Sequence, residues 1–361
     1  MKELGYCVLL VLVVGSSVAA VPDSTGTRSE PRWKAEAYLD LYYGISNNTT
    51  KAGNIPYFVS SARINRLAVN KVFVGLRYTG DRFRGALVPA AGTYMTDNYA
   101  LEKGIARHLV EANAGIRLSK KKEVWLDAGV MESPFTNESA ISGNQWMYTR
   151  SFAPEYVPYY LAGLRLSMPL SSNIGMRLWL LNGWQQIHDQ NKSKSLAIGL
   201  DWRPTPELDV VSNIFLGDER SELRPDFRTR FLKDLYVTWR PRKHFRVATC
   251  IYYGIQQVAS GGSARWFQAN ITARQRIAEG ILLNVRAEYF HDPEMVMITA
   301  LNSDRFTGGS IGTCLDVRLF HKTILRLDVR RFASPDRIFQ QDAGKFRSGE
   351  TRAFLNITAR I

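Results

Sequence analysis

From Ala35 to Ile361 this chain places apolar side chains at every second position, segment after segment, with polar or charged side chains between them. In the first segment Ala35, Ala37, Leu39, Leu41 and Tyr43 share one face, against Glu36, Tyr38, Asp40 and Tyr42. In the last, Ala353, Leu355, Ile357, Ala359 and Ile361 oppose Arg352, Asn356, Thr358 and Arg360. Period two is the side-chain period of a β-strand and is incompatible with a helix. Sixteen such segments can be counted.

The connections sort into two classes that alternate. Short ones lie near residues 80, 121, 171, 205, 242, 277 and 321. Long ones cover about 44–65, 92–106, 131–158, 184–195, 217–231, 254–264, 291–309 and 332–350. Short turns at one end, long loops at the other and an even strand number are the marks of a transmembrane barrel. A soluble β-sandwich would use fewer strands and Greek-key crossings. The expected fold is therefore all-β: a transmembrane antiparallel barrel of about 16 strands, with short periplasmic turns and long extracellular loops. Both termini then lie at the periplasmic end.

The first twenty residues stand apart. Lys2 precedes an apolar run, Leu4 to Val14, which ends in small residues at Val18-Ala19-Ala20. That reads as a secretory signal peptide, residues 1–20, cleaved after Ala20. A polar linker, 21–31, leads to a barrel over 32–361. No other segment approaches 18 consecutive apolar residues, so no second membrane helix is expected. Cys250 and Cys314 are too few for a disulfide framework and read as isolated thiols. The formal charge is +14, yet the basic residues alternate with apolar ones instead of forming a run. That excludes a nucleic-acid face and moves the question to where the charges point.

Charges facing a dry core would be ruinous. Facing the water-filled lumen of a sixteen-stranded barrel they cost little. The alternation places Asp127, Arg165, Arg177, Arg286, Glu288, Arg318, Arg326 and Arg330 on that lumen wall, with Val, Leu, Ile and Ala outward. Arginine exceeds carboxylate on the inward face, which predicts positive potential and a preference for anions. The alternative is that most arginines pair with carboxylates across strands as wall ladders. Aromatic residues near strand ends, among them Tyr43, Trp202, Trp239 and Tyr289, suit interfacial girdles, whereas some, such as Tyr42, fall on the inward face.

The stretch 131–158 alternates poorly and carries Pro134, Pro154 and Pro158 among aromatic, amide and hydroxyl groups. A loop this long in a compact fold is functional or disordered. It is expected to fold into the barrel mouth and narrow it. Glu132, Glu138, Asn144, Gln145 and Arg150 are the candidates for the constriction, opposing Arg165 and Arg177. The bland alternative is that Glu138, Trp146, Tyr148 and Arg150 pin the loop to the wall.

The same region carries a family resemblance. Asp127-Ala128-Gly129, Glu138-Ser139-Ala140-Ile141, Trp146, Tyr148-Thr149-Arg150-Ser151, Pro158-Tyr159-Tyr160, Gly163 and Leu181-Asn182-Gly183-Trp184-Gln185 resemble the β-barrel porin-2 family, OmpL-like outer-membrane proteins of Gram-negative bacteria. Residues 86–100 and 111–118 match in style, and the resemblance runs through the mature chain, strongest over 86–185. It implies a porin for small hydrophilic solutes, without naming one, in the cell outer membrane. Implied partners are outer-membrane lipid, the barrel-assembly machinery and a second copy of the chain in a homo-oligomer. One departure is the end, Ala359-Arg360-Ile361, where many such barrels finish on an aromatic residue.

Two other readings remain open. One is a plugged or adhesive surface barrel. The other is a barrel hydrolase built on His188-Asp189 or His291-Asp292, although neighbours on a strand point to opposite faces. No metal-ligand spacing, nucleophile motif or phosphate loop is present, so no cofactor is expected and an enzyme is disfavoured.

Overall fold

The computed structural model describes residues 32–48, 53–320, 322–341 and 344–361. The expected signal peptide and linker, residues 1–31, lie outside the described residues. The strands, in chain order, are β1 (Arg32–Ser46), β2 (Leu67–Thr79), β3 (Phe83–Ala91), β4 (Leu109–Arg117), β5 (Trp125–Glu132) and β6 (Tyr160–Pro169). Next come β7 (Ile174–Leu181), β8 (Ser195–Thr205), β9 (Leu208–Asp218), β10 (Phe227–Arg242), β11 (Phe245–Val258) and β12 (Ser263–Ala278). The chain ends with β13 (Ile281–Asp292), β14 (Phe306–Phe320), β15 (Thr323–Ala333), a small hairpin of β16 (Phe339–Gln340) and β17 (Phe346–Arg347), and β18 (Gly349–Arg360).

Among the described residues, sixteen strands, β1 to β15 and β18, close into one antiparallel barrel, and β16 and β17 pair separately. Every barrel strand pairs with its sequence neighbours. The first and last meet at Tyr38↔Arg360 through Ser46↔Arg352. Beyond that ladder, Ala37 and Ile361 exchange backbone hydrogen bonds of 3.1 and 2.9 Å. Closure leaves no edge, which a strand in hydrocarbon requires because nothing there can satisfy a free N–H.

The two faces of the wall separate as the alternation demands. Leu39, Val74, Leu76, Ile198, Leu200, Ile271, Val285, Leu327 and Leu355 stay exposed on the outside. Trp33, Trp202, Trp239 and Phe320 stand outward near the turn end, and Tyr43, Tyr253 and Tyr289 near the loop end. Tyr42, Tyr160 and Tyr252 are buried inside and belong to the lumen instead of a girdle.

Two expected loops are much shorter than the sequence suggests. The stretches 217–231 and 254–264 contract to 219–226 and 259–262, because β10, β11 and β12 run 16, 14 and 16 residues. These strands continue past the apolar band. There Arg265 and Gln257 are exposed, so the polarity alternation fades while the hydrogen-bond ladder persists.

The apolar core lies inside the barrel, toward the loop end. One cluster joins the long loop between β5 and β6 (Phe135, Met147, Tyr148, Phe152, Val157) to Phe58 of the loop after β1, Ile298 before β14 and Phe339 of β16. Phe152 sits with its ring 5.1 Å from that of Phe58, 5.4 Å from Phe306 and 5.6 Å from Phe332. Each such pair contributes about 0.5–1.5 kcal/mol beyond its burial. A second cluster packs Tyr94 and Met95 of α1 (Thr93–Asn98) against Tyr38, Phe73, Tyr159 and Ile141.

Candidate functional site

The long loop of 133–159 leaves the wall at a pair of glycines. Gly129 and Gly163 face each other across β5 and β6, both at positive φ, 124° and 151°. A Cβ on Gly129 would lie 2.2 Å from the Ala112 carbonyl oxygen, and one on Gly163 would lie 2.1 Å from that of Leu180. Only glycine fits such an approach. Below the pair Asp127 and Arg165 face the lumen; above it Val130, Tyr160 and Ala162 join the interior cluster. The change of register tips the strand ends, and the loop, into the barrel.

The loop then makes contact around most of the wall. On one side the Pro134 carbonyl accepts from Asn213 Nδ2 of β9 at 3.0 Å, and Phe135 meets Phe215. Lys71 Nζ of β2 donates to the Ala140 carbonyl at 2.7 Å. Ser142 Oγ donates to Asp40 at 2.8 Å, while Arg326 of β15 holds the Ser142 carbonyl at 2.8 Å. Arg360 reaches Asn144 Oδ1 at 3.0 Å, and Arg274 of β12 the Trp146 carbonyl at 3.3 Å. Arg286 of β13 donates to the Thr149 carbonyl at 2.7 Å, Arg330 to the Arg150 carbonyl at 2.5 Å, and Thr149 N–H to Asp328 at 3.0 Å. The loop is a disc bonded to its rim, which a segment held in water needs in order to stay in place.

The expected constriction residues separate into two groups. Glu138, Gln145 and Arg150 do not face an opening. Glu138 is buried, accepts from Ser151 N–H and Oγ at 2.7 and 2.8 Å and meets Arg286 at 3.1 Å. Gln145 donates to the Tyr148 carbonyl at 2.8 Å. Arg150 caps the carbonyls of Ser139 and Glu138 and stacks over Tyr159 at 4.1 Å. These three brace the loop from within, because a folded segment must first satisfy its own carbonyls. Asn144 and Glu132 are exposed; Glu132 lies in the field of Arg77, Lys71, Glu36 and Glu111.

The expected opposition between loop carboxylates and Arg165 and Arg177 does not form. Arg165 pairs with Asp127 at 3.0 Å and Arg177 with Asp201 at 2.5 Å, both along the wall. The wall arginines that do meet the loop are Arg274, Arg286, Arg326, Arg330 and Arg360. Glu288 accepts the Phe152 N–H at 2.7 Å and pairs with Arg330. Arg318, placed on the wall, sits exposed beside the β13 turn, where its N–H meets the Gly280 carbonyl at 2.8 Å.

The lumen charges therefore fall into two populations. Arg286, Arg326, Arg330 and Arg352 are 1% exposed. Arg77, Arg84, Arg165 and Arg360 keep 24–32% of their side chains exposed, whereas their partners Glu36, Glu111 and Asp127 keep only 1–9%. At these pairs the carboxylates lie beneath and the guanidiniums above, so water there meets the cation first; Arg177–Asp201 is the reverse, with 22% and 42% of the side chains exposed. Arg84, whose Nε and Nη2 both reach Asp127 at 2.6 Å, escaped the sequence reading. It sits in β3, where Gly85 and Pro89 blur the alternation.

On the loop side a cavity of about 330 Å³ opens above the disc, with Glu155, Tyr156, Tyr159, Trp184, Arg224, Phe227 and Arg230 in its walls. Beside it Glu219 accepts the Trp184 N–H at 3.3 Å. Burial pushes its carboxyl up to about 7, against the pull of Arg230. The apolar residues of the other loops that pack with this one inside the barrel, Ile55, Phe58, Val296, Ile298 and Ile338, were the missed signal: surface loops do not need them.

The histidine-aspartate pairs serve separate partners. His291 Nδ1 lies 2.9 Å from Thr307 Oγ1, while the Asp292 carboxylate accepts the N–H groups of Val296, Met297 and Ile298. His188 Nδ1 lies 2.9 Å from Glu102. Among the described residues no group of three or more His, Cys, Asp or Glu could hold a metal ion.

No curated protein matches this sequence. Solved structures share the fold at low identity. An anion-selective porin from Comamonas acidovorans aligns with TM-score 0.60 and 9% identity over 92% of this chain and 100% of that one. OmpT of Vibrio cholerae, in a trimer form, gives 0.62 and 7% over 92% and 100%. The outer-membrane channel DcaP of Acinetobacter baumannii gives 0.60 and 10% over 93% and 99%. The family model described as "Putative beta-barrel porin-2, OmpL-like" matches residues 32–360, and the chain belongs to that family of porin-like outer-membrane barrels.

Proposed function

We propose that this barrel lets small hydrophilic solutes, anions in preference, cross the outer membrane by passive diffusion and performs no chemistry on them. The observation that carries the reading is the layering at three places on the lumen wall: half-buried guanidiniums of Arg77, Arg84 and Arg165 over buried carboxylates. A passing ion meets the outer layer first, and the low-dielectric wall focuses its field. The name of the Comamonas acidovorans neighbour, an anion-selective porin, is in keeping with this. On this reading Asn144 and Glu132 line the passage and residues 1–20 direct export.

The ring of loop anchors favours a second reading, a plugged barrel. Planar-bilayer conductance of the refolded chain in a salt gradient separates the two. Stepwise channels with an anion-favouring reversal potential support the porin, and R84Q/R165Q together should move that potential toward cations. A folded barrel without channels leaves the plugged reading.

A further inference from the structure

Among the described residues six arginines are buried: Arg150, Arg230, Arg286, Arg326, Arg330 and Arg352. Four of them meet a carboxylate: Arg286 that of Glu138, Arg326 that of Asp316, Arg330 that of Glu288 and Arg352 that of Glu350. Arg150 gives its guanidinium to the carbonyls of Ser139, Pro154 and Glu138. Arg230 of β10 has neither kind of partner. It is 6% exposed, and its guanidinium makes one hydrogen bond, from Nε to the neutral amide oxygen of Gln256 at 2.8 Å. The carboxylates that act on it through space are committed elsewhere. Glu219 accepts the Trp184 N–H at 3.3 Å, and Asp292 accepts the N–H groups of Val296, Met297 and Ile298. Exposed cations such as Lys103, Lys192 and Arg265 also lack a carboxylate partner, but water solvates them. A buried guanidinium has no such recourse, and an arriving anion relieves it.

The surroundings fix where that anion would sit. The Arg230 guanidinium lies over three rings, Trp184 at 4.7 Å, Phe227 at 5.4 Å and Trp266 at 5.7 Å. Stacking occupies the faces of the group and leaves its in-plane N–H donors free. Its two terminal nitrogens have no acceptor among the described residues, and neither is sealed off. Arg230 lines the cavity of about 330 Å³ above the disc, so the open fork faces that space. Arg224, exposed and stacked on Phe227 at 3.9 Å, borders the same cavity as a second cation. The acids of the cavity are already engaged. Asp97 pairs with Arg63 at 2.6 Å, and Glu155 Oε2 accepts the N–H groups of Val59 and Ser60 at 3.1 and 2.9 Å. Tyr156, Trp184, Val296 and Met297 supply the apolar part of the lining.

We propose that this cavity is a binding site for a small organic carboxylate with an apolar body, the carboxylate held by the free edge of Arg230 and the body by Tyr156, Trp184 and Met297. A planar carboxylate matches the guanidinium fork with two parallel charge-assisted hydrogen bonds. Apolar walls with a few placed polar groups, in a space of this size, are the ordinary make-up of a small-molecule site. A strongly hydrated inorganic anion fits less well, because it gives up its water for one fork and leaves the apolar walls uncovered. The site stands whether solutes pass the disc or not, since it lies on the loop side of it.

The test reads binding and not flow, so a barrel without channels would defeat the porin reading and leave this one standing. The full refolded barrel in detergent micelles is titrated with benzoate, and with its neutral isostere benzamide, by saturation-transfer NMR. The expected result is saturable binding of benzoate but not of benzamide, weakened about tenfold or more in R230Q and unchanged in K192Q, which removes a loop charge elsewhere. Heat-modifiable migration checks that each variant folds. R230K keeps the charge without the fork and carries the same test should R230Q fail to fold, with weakened binding again expected. Benzoate bound equally by wild type and the folded Arg230 variant overturns the proposal. So does equal binding of benzamide, which would mean apolar partition alone, or full displacement of benzoate by an equal concentration of inorganic phosphate, which would make this a free-anion site.

Discussion

A single lumen arginine has one of two jobs here, and its depth decides which. Arg286 is buried with Glu138 at the centre of the loop's attachment. Removing one partner of such a pair leaves a charge without compensation, at a cost of about 3–5 kcal/mol. Arg286→Ala should therefore lower the denaturant midpoint of the refolded barrel strongly, while Arg165→Ala should leave it nearly unchanged and alter ion preference. Glu219 supplies a pH signature. Its carboxyl titrates near 7 in the folded chain and near 4.5 when exposed. Between those values the folded state holds a proton that the unfolded state has lost, so stability falls as pH rises through that window. Urea titrations from pH 4 to pH 8 should show the decline, and Glu219→Gln should flatten it. The face of nearly every wall residue was legible in the sequence, because period two assigns faces. Depth was not: Arg165 and Arg286 occupy the same kind of position, and only the folded loop distinguishes them.

Among the elements, the loop of 133–159 depends on two glycines. Gly163→Ala forces a Cβ onto the Leu180 carbonyl, so the strand must straighten and the loop lose its inward launch. The expected outcome is a folded barrel with larger conductance steps. Deleting residues 135–150 should have the same effect by removing the disc itself; unchanged steps in either would mean that the loop does not limit flow. That this stretch folds inward could be read from its length and its aromatic and amide content. The partners it chooses could not, since Lys71, Asp40 and Asn213 are ordinary polar positions of the alternation until a loop carbonyl or hydroxyl arrives beside them. The shortening of the loop at 259–262 has a similar origin: polarity alternation records contact with lipid, and a strand that rises above the lipid no longer needs it.

For the whole molecule, the apolar core sits within the loop-side half of the barrel, and the outer wall is apolar because its solvent is lipid. The loop disc also joins parts of the chain that are far apart in sequence. Ser142 bonds to Asp40 of β1 and to Arg326 of β15, and Asn144 bonds to Arg360 near the end of β18. The middle of the chain thus acts as a clasp across the seam where the first and last strands meet. Those partners exist together only once the circle is complete, and contacts of such long range form late. Docking of the disc should follow closure as a separate slow phase, visible in the fluorescence of Trp146, and a barrel arrested one strand short should carry its middle loop undocked.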